Sequence, residues 1–299
     1  MQALQAKTIT EPLKADLSQR VQALKGQGIQ PRMVTFLVES DDASAAYAKV
    51  KGRLAEKLGV TYDFISLKAS TSTEELVQAI KEKNADSNVH GIMVEMPLPK
   101  HINEQEVIEA IAPEKDLDGL HPLNLGYLLK GTPKMIPNTA LSALRLIEAS
   151  GIDIAGKQAV VIGRSNIVGK PLSQLLLSRH ATVTVCHSKT QDLTAITQAA
   201  DILCVAIGKP HFIQADMVKE GAVVIDIGTN YDENGKVSGD VDFEALEGKE
   251  GWLTPVPGGV GPLTTTLIFD QLIHAIETSV IDEWCPRPVS LGLPVNQIH

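Results

Sequence analysis

The sequence predicts an α/β protein with two domains, each built on a mainly parallel sheet with flanking helices. Short apolar and β-branched runs, such as residues 33–38 and 159–162, alternate along the chain with segments of helical period. Such alternation is typical of parallel strands joined by crossover helices. A chain of 299 residues is also too long to fold around one small hydrophobic core, which favours two domains.

The first half of the chain repeats this alternation of helix and strand. Gly59 ends one predicted helix, Thr73 is a candidate N-cap for the next, and the prolines of MPLPK end the third strand. We expect helices over residues 9–25, 43–58, 73–83 and 104–111, and strands over residues 33–38, 60–67 and 91–95.

Residues 113–137 interrupt the pattern. They are rich in Pro, Gly and Asn and have no long periodic segment, so we expect a loop-rich edge of a site near the domain boundary. A helix over residues 139–149 then leads into the second domain. After it we expect strands over residues 159–162, 182–186, 202–206 and 223–227 with helices between them, an Asn-Gly hairpin in DENGK, a final helix over residues 263–278 that crosses back onto the first domain, and a loosely docked or disordered tail over residues 284–299.

Composition and charge limit the function. A hydrophobic content of 43% and a mean hydropathy of +0.03 are typical of globular proteins, and neither a membrane-spanning run nor a secretory signal is evident. A net charge of −9 and an aromatic content of 4% argue against nucleic acid as the main partner. Cys186, Cys204 and Cys285 are odd in number and far apart, which predicts buried thiols in a reducing compartment rather than disulfides or a metal site.

The stretch VVIGRSNIVGKP, residues 160–171, has the pattern of a phosphate-binding turn. A buried strand ends at Gly163, a second glycine follows at Gly169, and Pro171 opens an apolar helix. This order directs backbone N–H groups and a helix N-terminus at an anion, and side chains at the glycines would keep a ligand away. The spacing differs from G-x-G-x-x-G, and the alternative is a plain βα turn.

The stretch CHSKT, residues 186–190, follows the next strand, where dinucleotide folds contact the adenosine ribose. It has no Asp or Glu to bind a ribose 2′-hydroxyl. His187, Ser188 and Lys189, together with Arg164 in the glycine turn, suit a 2′-phosphate, so NADP is favoured over NAD. The alternative is a polar strand end without a ligand.

Candidate catalytic residues lie on one predicted helix and after one predicted strand. Ser44, Tyr47 and Lys51 share a helix face, where an amine can transfer protons beside an aromatic wall. The alternative is a solvated polar face. Glu95 ends a buried strand at the edge where ligands of open α/β sheets bind, although a strand-end carboxylate exposed to solvent is an equal possibility.

Two further stretches carry candidate binding residues. In KDLDG, Asp116 and Asp118 precede a glycine, and each is either a cap for turn N–H groups or an acceptor for two N–H groups of a ligand ring. In PVPGGVGP, residues 255–262, glycines between prolines give a stiff backbone that a flat ligand can approach closely, and the alternative is a constrained loop.

Together these motifs resemble the methylenetetrahydrofolate dehydrogenase/cyclohydrolase family of bifunctional folate enzymes. The resemblance covers about residues 33 to 270 in the family's order, on the motifs ASAAYAKVK, VEMPLP, KDLDGLHPLNLG, VVIGRSNIVGKP, VAIGKP, GAVVIDIGTN, GDVDFEAL and TPVPGGVGPLT. It implies a catalytic folate-binding domain over residues 1–139 plus 263–299, a Rossmann-like NADP-binding domain over residues 140–262, a homodimer, a cytoplasmic location and no metal.

The resemblance also implies the chemistry. A hydride moves from 5,10-methylenetetrahydrofolate to NADP, and water then opens the methenyl cation to 10-formyltetrahydrofolate. Lys51 matches the family's catalytic lysine, Tyr47 the tyrosine that stacks on the folate, and Asp118 the aspartate that holds the pterin, while Glu95 stands beside the lysine. The implied folate strip is Pro257, Gly258 and Gly259. The implied NADP contacts are Gly163, Arg164, Ser165, Ile167, Gly169, His187, Ser188, Gly208 and Thr229.

Three departures from the family's motifs surround the expected crevice. Glu95 replaces a glutamine that partners the catalytic lysine, Ala140 and Ser142 stand in PNTALS, and Glu39 and Asp42 stand in ESDDAS. Because a carboxylate stabilises a neighbouring ammonium group, we expect weakened hydrolysis and retained hydride transfer. Two rivals are a different NADP-dependent dehydrogenase and a binding protein that has lost turnover.

Overall fold

The computed structural model describes residues 1–39, 42–233 and 235–280, with backbone alone for residues 42–47 and 280. The helices are α1 (Lys7–Gly26), α2 (Asp42–Leu58), α3 (Thr73–Ala85), α4 (Glu104–Ala110), α5 (Pro122–Lys130), α6 (Asn138–Ala149), α7 (Gly169–Ser178), α8 (Leu193–Gln198) and α9 (Val260–Val280). The strands are β1 (Gln2–Ala3), β2 (Arg32–Val38), β3 (Thr61–Leu67), β4 (Gly91–Val94), β5 (Gln158–Ile162), β6 (Thr182–Cys186), β7 (Ile202–Val205), β8 (Val223–Asp226), β9 (Asn230–Tyr231), β10 (Val237–Ser238) and β11 (Trp252–Leu253).

The first sheet has three parallel strands in the order β3-β2-β4. Its two faces divide the residues of β2 by the period of two that a strand imposes. Met33 packs with α1 and α9 on one face, whereas Val34 and Phe36 pack with α3 and α4 on the other. Both faces are therefore covered by helices, as a parallel sheet requires.

The second sheet is parallel throughout, in the order β1-β11-β8-β7-β5-β6. The central strand β5 has β7 on one side and β6 on the other, so the strand order reverses beside it. Ligands of open α/β sheets bind at such a reversal. The short strand β1 begins the chain and joins the edge of this sheet, not the first one.

Helix α9 connects the two sheets. It packs against α1 and α2 on one side and against α6 on the other. Arg20 of α1 stabilises the contact between α1 and α9, since its guanidinium group donates to Asp270 at 2.7 Å and to Glu277 at 2.8 Å. The prediction that the last helix crosses back onto the first half of the chain is confirmed by these contacts.

The parallel sheets and most element boundaries agree with the sequence prediction, but the N-cap of α3 was wrongly assigned. Ser72 is extended and accepts a hydrogen bond from the Glu75 backbone N–H, while its own N–H donates to the Glu75 carboxylate. The Thr73 hydroxyl accepts instead from the backbone N–H of Asn103, which ties α3 to the start of α4.

Two further predictions need correction. Residues 113–137 contain the helix α5, which begins at Pro122 with His121 as its cap. The connection between β7 and β8 holds only a short 3₁₀ turn (Ala215–Met217), not a full helix. The hairpin is formed by the antiparallel pair β9 and β10, although Asn234 of its turn lies outside the described residues, as does the tail over residues 284–299.

Candidate active site

A cleft of about 910 Å³ opens between the carboxyl ends of the two sheets. Its lining brings together eight of the residues that the sequence singled out. They are Lys51, Glu95, Asp118, Ile167, Thr229, Pro257, Gly258 and Gly259. Residues from both halves of the chain therefore meet in one space.

Lys51 and Glu95 form a buried ion pair at the floor of this cleft. Lys51 projects from α2, and Glu95 follows directly after β4, with its N–H held by the Phe36 carbonyl at 2.9 Å. Only 5% of the Lys51 side chain and 10% of the Glu95 side chain are exposed. Two charges this poorly hydrated stabilise each other, and the removal of either leaves the other buried without a counter-ion.

Asp118 faces this pair from the segment between α4 and α5. Burial raises the pKa of Asp118 to about 7, and Asp116 and Glu95 act in the same direction, whereas Lys51 and the Asn138 amide lower it. The carboxyl group is therefore close to its titration point at neutral pH. A group so perturbed in a cleft is a candidate for function.

The two aspartates of KDLDG have different environments. Asp116 is buried and accepts from the His121 N–H at 2.8 Å and from the Asn124 amide at 2.9 Å. Asp116 thus caps the turn, which leaves Asp118 as the carboxylate that lines the cleft.

A buried amide network that the sequence did not reveal holds this turn in place. Gln271 of α9 donates to the Leu117 carbonyl at 3.0 Å and to Asn138 at 2.7 Å, and Asn138 donates to the same carbonyl at 2.7 Å. The only sequence signal was one amide among several polar residues of α9, which does not specify its partners.

The glycine turn after β5 is tightly packed. Gly163 has a φ of +123°, and a β-carbon there would collide with the carbonyl oxygen of Ala206. A β-carbon on Gly169 would collide with the Gly163 carbonyl. The Ser165 hydroxyl accepts from the Val168 N–H at 3.1 Å, which shapes the turn before α7 begins. The backbone is thus free to contact a ligand directly.

The residues predicted to contact a 2′-phosphate flank this turn on adjacent strands. The Gly163 N–H donates to the Cys186 carbonyl at 2.9 Å, which places Arg164 next to the segment that carries His187 and Ser188. Arg164 and Ser188 are exposed, and the His187 ring accepts from the Lys189 N–H at 3.1 Å. These side chains lie outside the cleft lining, beyond the glycine turn.

A pair of buried aspartates, also missed by the sequence analysis, supports the cofactor side. The Asp240 carboxylate accepts from the N–H groups of Ile207, Gly208 and Lys209 at 2.7 to 3.0 Å. Asp226, whose pKa burial raises to about 6, accepts from the N–H of Asp240 itself at 2.9 Å. Gly208 is therefore fixed by Asp240 through the backbone. Both aspartates stood in quoted motifs, but an isolated Asp in a motif gives no sign of its partners.

The strip over residues 255–259 forms part of the wall of the cleft. Gly258 has a φ of +116°, and the Gly259 N–H donates to the Pro255 carbonyl at 2.7 Å. A β-carbon on Gly259 would come within 2.8 Å of that carbonyl. Pro257 is exposed at the rim, so the strip presents bare backbone and a proline ring to a ligand.

The three departures from the expected motifs have different locations. Glu95 lines the cleft, whereas Ala140 and Ser142 are buried within α6, where Ser142 lies 3.0 Å from Thr264. Glu39 is exposed and accepts from Ser66 at 3.2 Å. The side chains of Ser44, Tyr47 and Asp42 lie outside the described residues. Of the departures that are described, only Glu95 reaches the cleft.

Neither a metal cluster nor a membrane segment is found among residues 1–39, 42–233 and 235–280. These residues contain no group of three or more His, Cys, Asp or Glu side chains that could hold a metal ion, and no helix long and apolar enough to span a bilayer. Cys186 and Cys204 are free and buried, and burial raises the pKa of the Cys204 thiol to about 12. Cys285 lies beyond this part of the chain.

The fold and the cleft define a two-domain α/β enzyme of the NAD(P)-dependent dehydrogenase class. The catalytic-domain model of the tetrahydrofolate dehydrogenase/cyclohydrolase family matches residues 4–118, and the NAD(P)-binding-domain model of the same family matches residues 137–280. The chain therefore belongs to the tetrahydrofolate dehydrogenase/cyclohydrolase family.

Individual relatives agree over nearly the whole chain. The bifunctional protein FolD of Geobacillus thermodenitrificans is 49% identical over 92% of this chain and 96% of its own, and that of Bacillus licheniformis is 46% identical over 93% and 98%. The crystal structure of the Campylobacter jejuni FolD enzyme has a TM-score of 0.90 at 40% identity, covering 93% of this chain and 99% of that one. The Trypanosoma brucei enzyme, complexed with NADP cofactor and inhibitor, has a TM-score of 0.89 at 33% identity, covering 93% and 98%. The predicted family, fold class and enzyme class are confirmed.

Proposed function

We propose that the chain oxidises 5,10-methylenetetrahydrofolate with NADP and hydrolyses the resulting 5,10-methenyltetrahydrofolate to 10-formyltetrahydrofolate. The observation that carries this function is the convergence of Lys51, Glu95 and Asp118 with the Pro257–Gly259 strip in one cleft. That cleft also contains Ile167 and Thr229, at the border of the glycine turn and of β8. One space thus joins a charged catalytic cluster to a dinucleotide-type turn.

We assign the pterin ring to Asp118. An ionised carboxylate has only acceptor sites, and a pterin edge offers paired N–H donors, so the two are complementary. Because the pKa of Asp118 is raised to about 7 by burial, a ligand that supplies two donors would favour the ionised form. The flat ring would lie against the bare backbone of Gly258 and Gly259, and Tyr47 is the expected stacking partner.

We assign the cofactor to the glycine turn and to the ends of β5 and β6. The space that β-carbons at Gly163 and Gly169 would fill, together with exposed Arg164 and Ser188, fits the phosphates of NADP. NADP, when bound, accepts the hydride. Arg164 and Ser188 provide charge-assisted hydrogen bonds to a 2′-phosphate, which NAD lacks. Ser165, Ile167, His187, Gly208 and Thr229 complete the proposed cofactor contacts.

Lys51 and Glu95 are proposed to serve the hydrolysis step. Water must lose a proton as it attacks the methenyl carbon, and Lys51 is the group in the cleft that relays protons in the family's scheme. The Glu95 carboxylate holds the Lys51 ammonium as an ion pair, which opposes release of its proton. We therefore propose that the protein has full dehydrogenase activity and weakened cyclohydrolase activity.

The mouth of the cleft suits the acidic end of a folate. Lys14 of α1 and Arg53 and Lys57 of α2 line it, and Arg53 and Lys57 are exposed. In a chain with a net charge of −9, a basic rim at this position attracts the carboxylates of a folate glutamate tail. The exposed Val50 provides an apolar surface beside them.

The division into domains and the homodimer are part of the proposal. We divide the chain into a catalytic part, residues 1–139 plus 263–299, and a cofactor part, residues 140–262. Exposed apolar side chains support a homodimer: Leu129 of α5, Leu177 of α7 and Val185 of β6 are 69%, 56% and 40% exposed, on elements that contact one another in that order. A cytoplasmic location is proposed from the family resemblance.

A spectrophotometric assay of NADP reduction with methylenetetrahydrofolate tests the function. The proposed function predicts folate-dependent NADPH formation. A different NADP-dependent dehydrogenase would reduce NADP only with another small substrate. A binding protein without turnover would bind folate and NADP in calorimetry and form no NADPH. Shikimate dehydrogenase of Thermus thermophilus, at 13% identity and a TM-score of 0.51, shares the fold alone and so gives no support to that other activity.

A further inference from the structure

Three buried polar atoms in the region of the Lys51–Glu95 pair lack a hydrogen-bond partner within residues 1–39, 42–233 and 235–280. They are the Thr35 hydroxyl, the Tyr62 hydroxyl and Glu95 Oε1, although the last contacts the Lys51 ammonium as an ion pair. The one other such side-chain atom in this part of the chain belongs to Arg179, the residue after α7. Buried polar atoms are normally paired, so the two hydroxyls, which have no partner beside an ion-paired carboxylate, need an explanation.

The strand register puts these three side chains on one face of the first sheet. Thr35 of β2 is opposite Phe64 of β3 and Met93 of β4. Because side chains two residues apart share a face, Tyr62 lies diagonally to one side of Thr35 and Glu95 diagonally to the other. Diagonal neighbours are within reach of long side chains. Thr35 is thus the middle member of a row that ends at the catalytic pair.

Tyr62 also packs against the helix that carries the lysine. A β-carbon on Gly52, the residue after Lys51, would lie 3.4 Å from the Tyr62 ring. Burial raises the pKa of Tyr62 to about 12, the Thr35 hydroxyl lowers it, and the Glu95 carboxylate raises it further. The Tyr62 hydroxyl is therefore protonated at any working pH and can donate, and a threonine hydroxyl can accept one hydrogen bond while donating another.

We infer that Tyr62 and Thr35 form a donor chain to the Glu95 carboxylate, in which Tyr62 donates to Thr35 and Thr35 donates to Glu95, directly or through one water. Tyr62 and Thr35 are positioning residues that act on the reaction through Glu95. The inference rests on the proposed role of the Lys51–Glu95 pair. A donated hydrogen bond favours the ionised carboxylate. The donor chain therefore stabilises the charged carboxylate of Glu95 and its pairing with Lys51.

The charged groups around Glu95 come from several elements. Lys51 faces it from α2, and Asp118 faces it from the segment between α4 and α5. Glu11 and Lys14 of α1, Arg53 and Lys57 of α2 and Asp226 of β8 line the same cleft. The residues of α9 that line the cleft are uncharged. An effect of the Tyr62 hydroxyl on proton transfer therefore reaches the reaction through Glu95. Asp118 is the other ionisable group whose contribution to the pH profile must be separated from that of Glu95.

The test is the pH dependence of methenyltetrahydrofolate hydrolysis in Tyr62→Phe and in Thr35→Val. Loss of a donor to a carboxylate should shift the acid limb of the profile, where protonation of Glu95 releases Lys51 from its ion pair, to higher pH by about one unit, the equivalent of one charged hydrogen bond. NADP affinity should not change, because neither Tyr62 nor Thr35 is among the proposed cofactor contacts. Tyr231→Phe, at an exposed position of β9, is the matched control and should leave the profile unchanged.

A double variant distinguishes a role through Glu95 from a general structural effect. In the Glu95→Gln background, Tyr62→Phe should no longer move the acid limb, since no carboxylate remains to receive the donor. An equal shift in both backgrounds overturns the inference, and so does an unmoved limb in both single variants. If Tyr62→Phe does not fold, the same criteria apply to Thr35→Val.

A measurement without turnover separates this inference from the proposed function. If the protein shows no hydrolysis at any pH, the proposed hydrolytic function fails. The Glu95 carboxyl can then be titrated by isotope-edited infrared spectroscopy, with Glu95→Gln to assign its band. A midpoint that moves up in Tyr62→Phe supports the donor chain, and an unmoved midpoint overturns it.

Discussion

The two walls of the cleft recognise their proposed ligands by different physical means. On the folate side, Lys51, Glu95 and Asp118 are ionisable groups with little access to water, held by α2 and by the segments after β4 and α4. On the cofactor side, Arg164 and Ser188 are exposed, and the backbone of the glycine turn provides the shape. Electrostatic effects are stronger where water is excluded. The effects of substitutions on the folate side should therefore be larger and should depend on pH. The effects of substitutions on the cofactor side should be smaller and should depend on salt.

The largest effect is expected at Lys51. Lys51→Met should lower hydrolysis about 100- to 10,000-fold, the usual contribution of a positioned proton-transfer group. Lys49→Met on the same helix is the control, because Lys49 is exposed and does not line the cleft. Stopped-flow absorbance of methenyltetrahydrofolate measures the rate. Equal rates in the two variants would remove Lys51 from the mechanism.

Asp118→Asn should come next. The amide replaces an acceptor with a donor, so one pterin N–H loses its partner and folate-dependent turnover should fall about 10- to 100-fold, the range of a charged hydrogen bond. NADP affinity, measured by fluorescence titration, should be kept. Normal turnover of the variant at low folate would make Asp118 a turn residue only.

The same variant should change how stability depends on pH. Because the pKa of Asp118 is raised to about 7 in the fold, its protonated form is favoured there, and the stability that this gives is lost as pH rises from about 4 through 7. Asp118→Asn should therefore gain in melting temperature over the parent between these values and keep a constant difference above them. A difference that does not vary with pH would show that Asp118 has an ordinary environment.

On the cofactor side, Arg164→Ala should weaken NADP about 10- to 100-fold through the loss of one charged hydrogen bond. Binding of NAD, which has no 2′-phosphate, should change little. Calorimetry with both cofactors at two salt concentrations measures the effect. A similar loss for both would mean that Arg164 contacts a part of the dinucleotide that the two cofactors share.

The smallest effect is expected at the rim. Lys57→Ala removes an exposed charge, so KM for the folate should rise only about two- to five-fold, and less at high salt. Lys49→Ala, on the same helix but outside the cleft lining, should have no such effect. A matching rise in both variants would attribute the change to net charge.

The sequence predicted the seven strands of four or more residues because they are apolar or β-branched runs, and it missed the two-residue strands β1 and β11. It missed α5, whose pattern is inverted: Leu123 and Leu129 are exposed while Asn124 is buried. A search for apolar periodicity does not detect such a helix, because its buried face includes Asn124, which donates a hydrogen bond to Asp116.

The candidate site was predictable in part for a similar reason. Lys51, Glu95 and Asp118 stand in motifs that the sequence analysis singled out, and all three line the cleft. The supporting groups were not predictable, because Gln271 and Asn138 are 133 residues apart and neither differs locally from a surface amide. The row from Tyr62 to Glu95 likewise depends on strand register, which single-sequence patterns do not specify.

The measurement that tests the account most directly is methenyltetrahydrofolate hydrolysis by Glu95→Gln across pH. The variant replaces the carboxylate that holds the Lys51 ammonium with the neutral amide expected at this position in the family. The account predicts a faster hydrolysis at neutral pH and an unchanged rate of NADP reduction. An unchanged or slower hydrolysis would contradict it, and would show that Glu95 either has no effect on Lys51 or is itself the catalytic base.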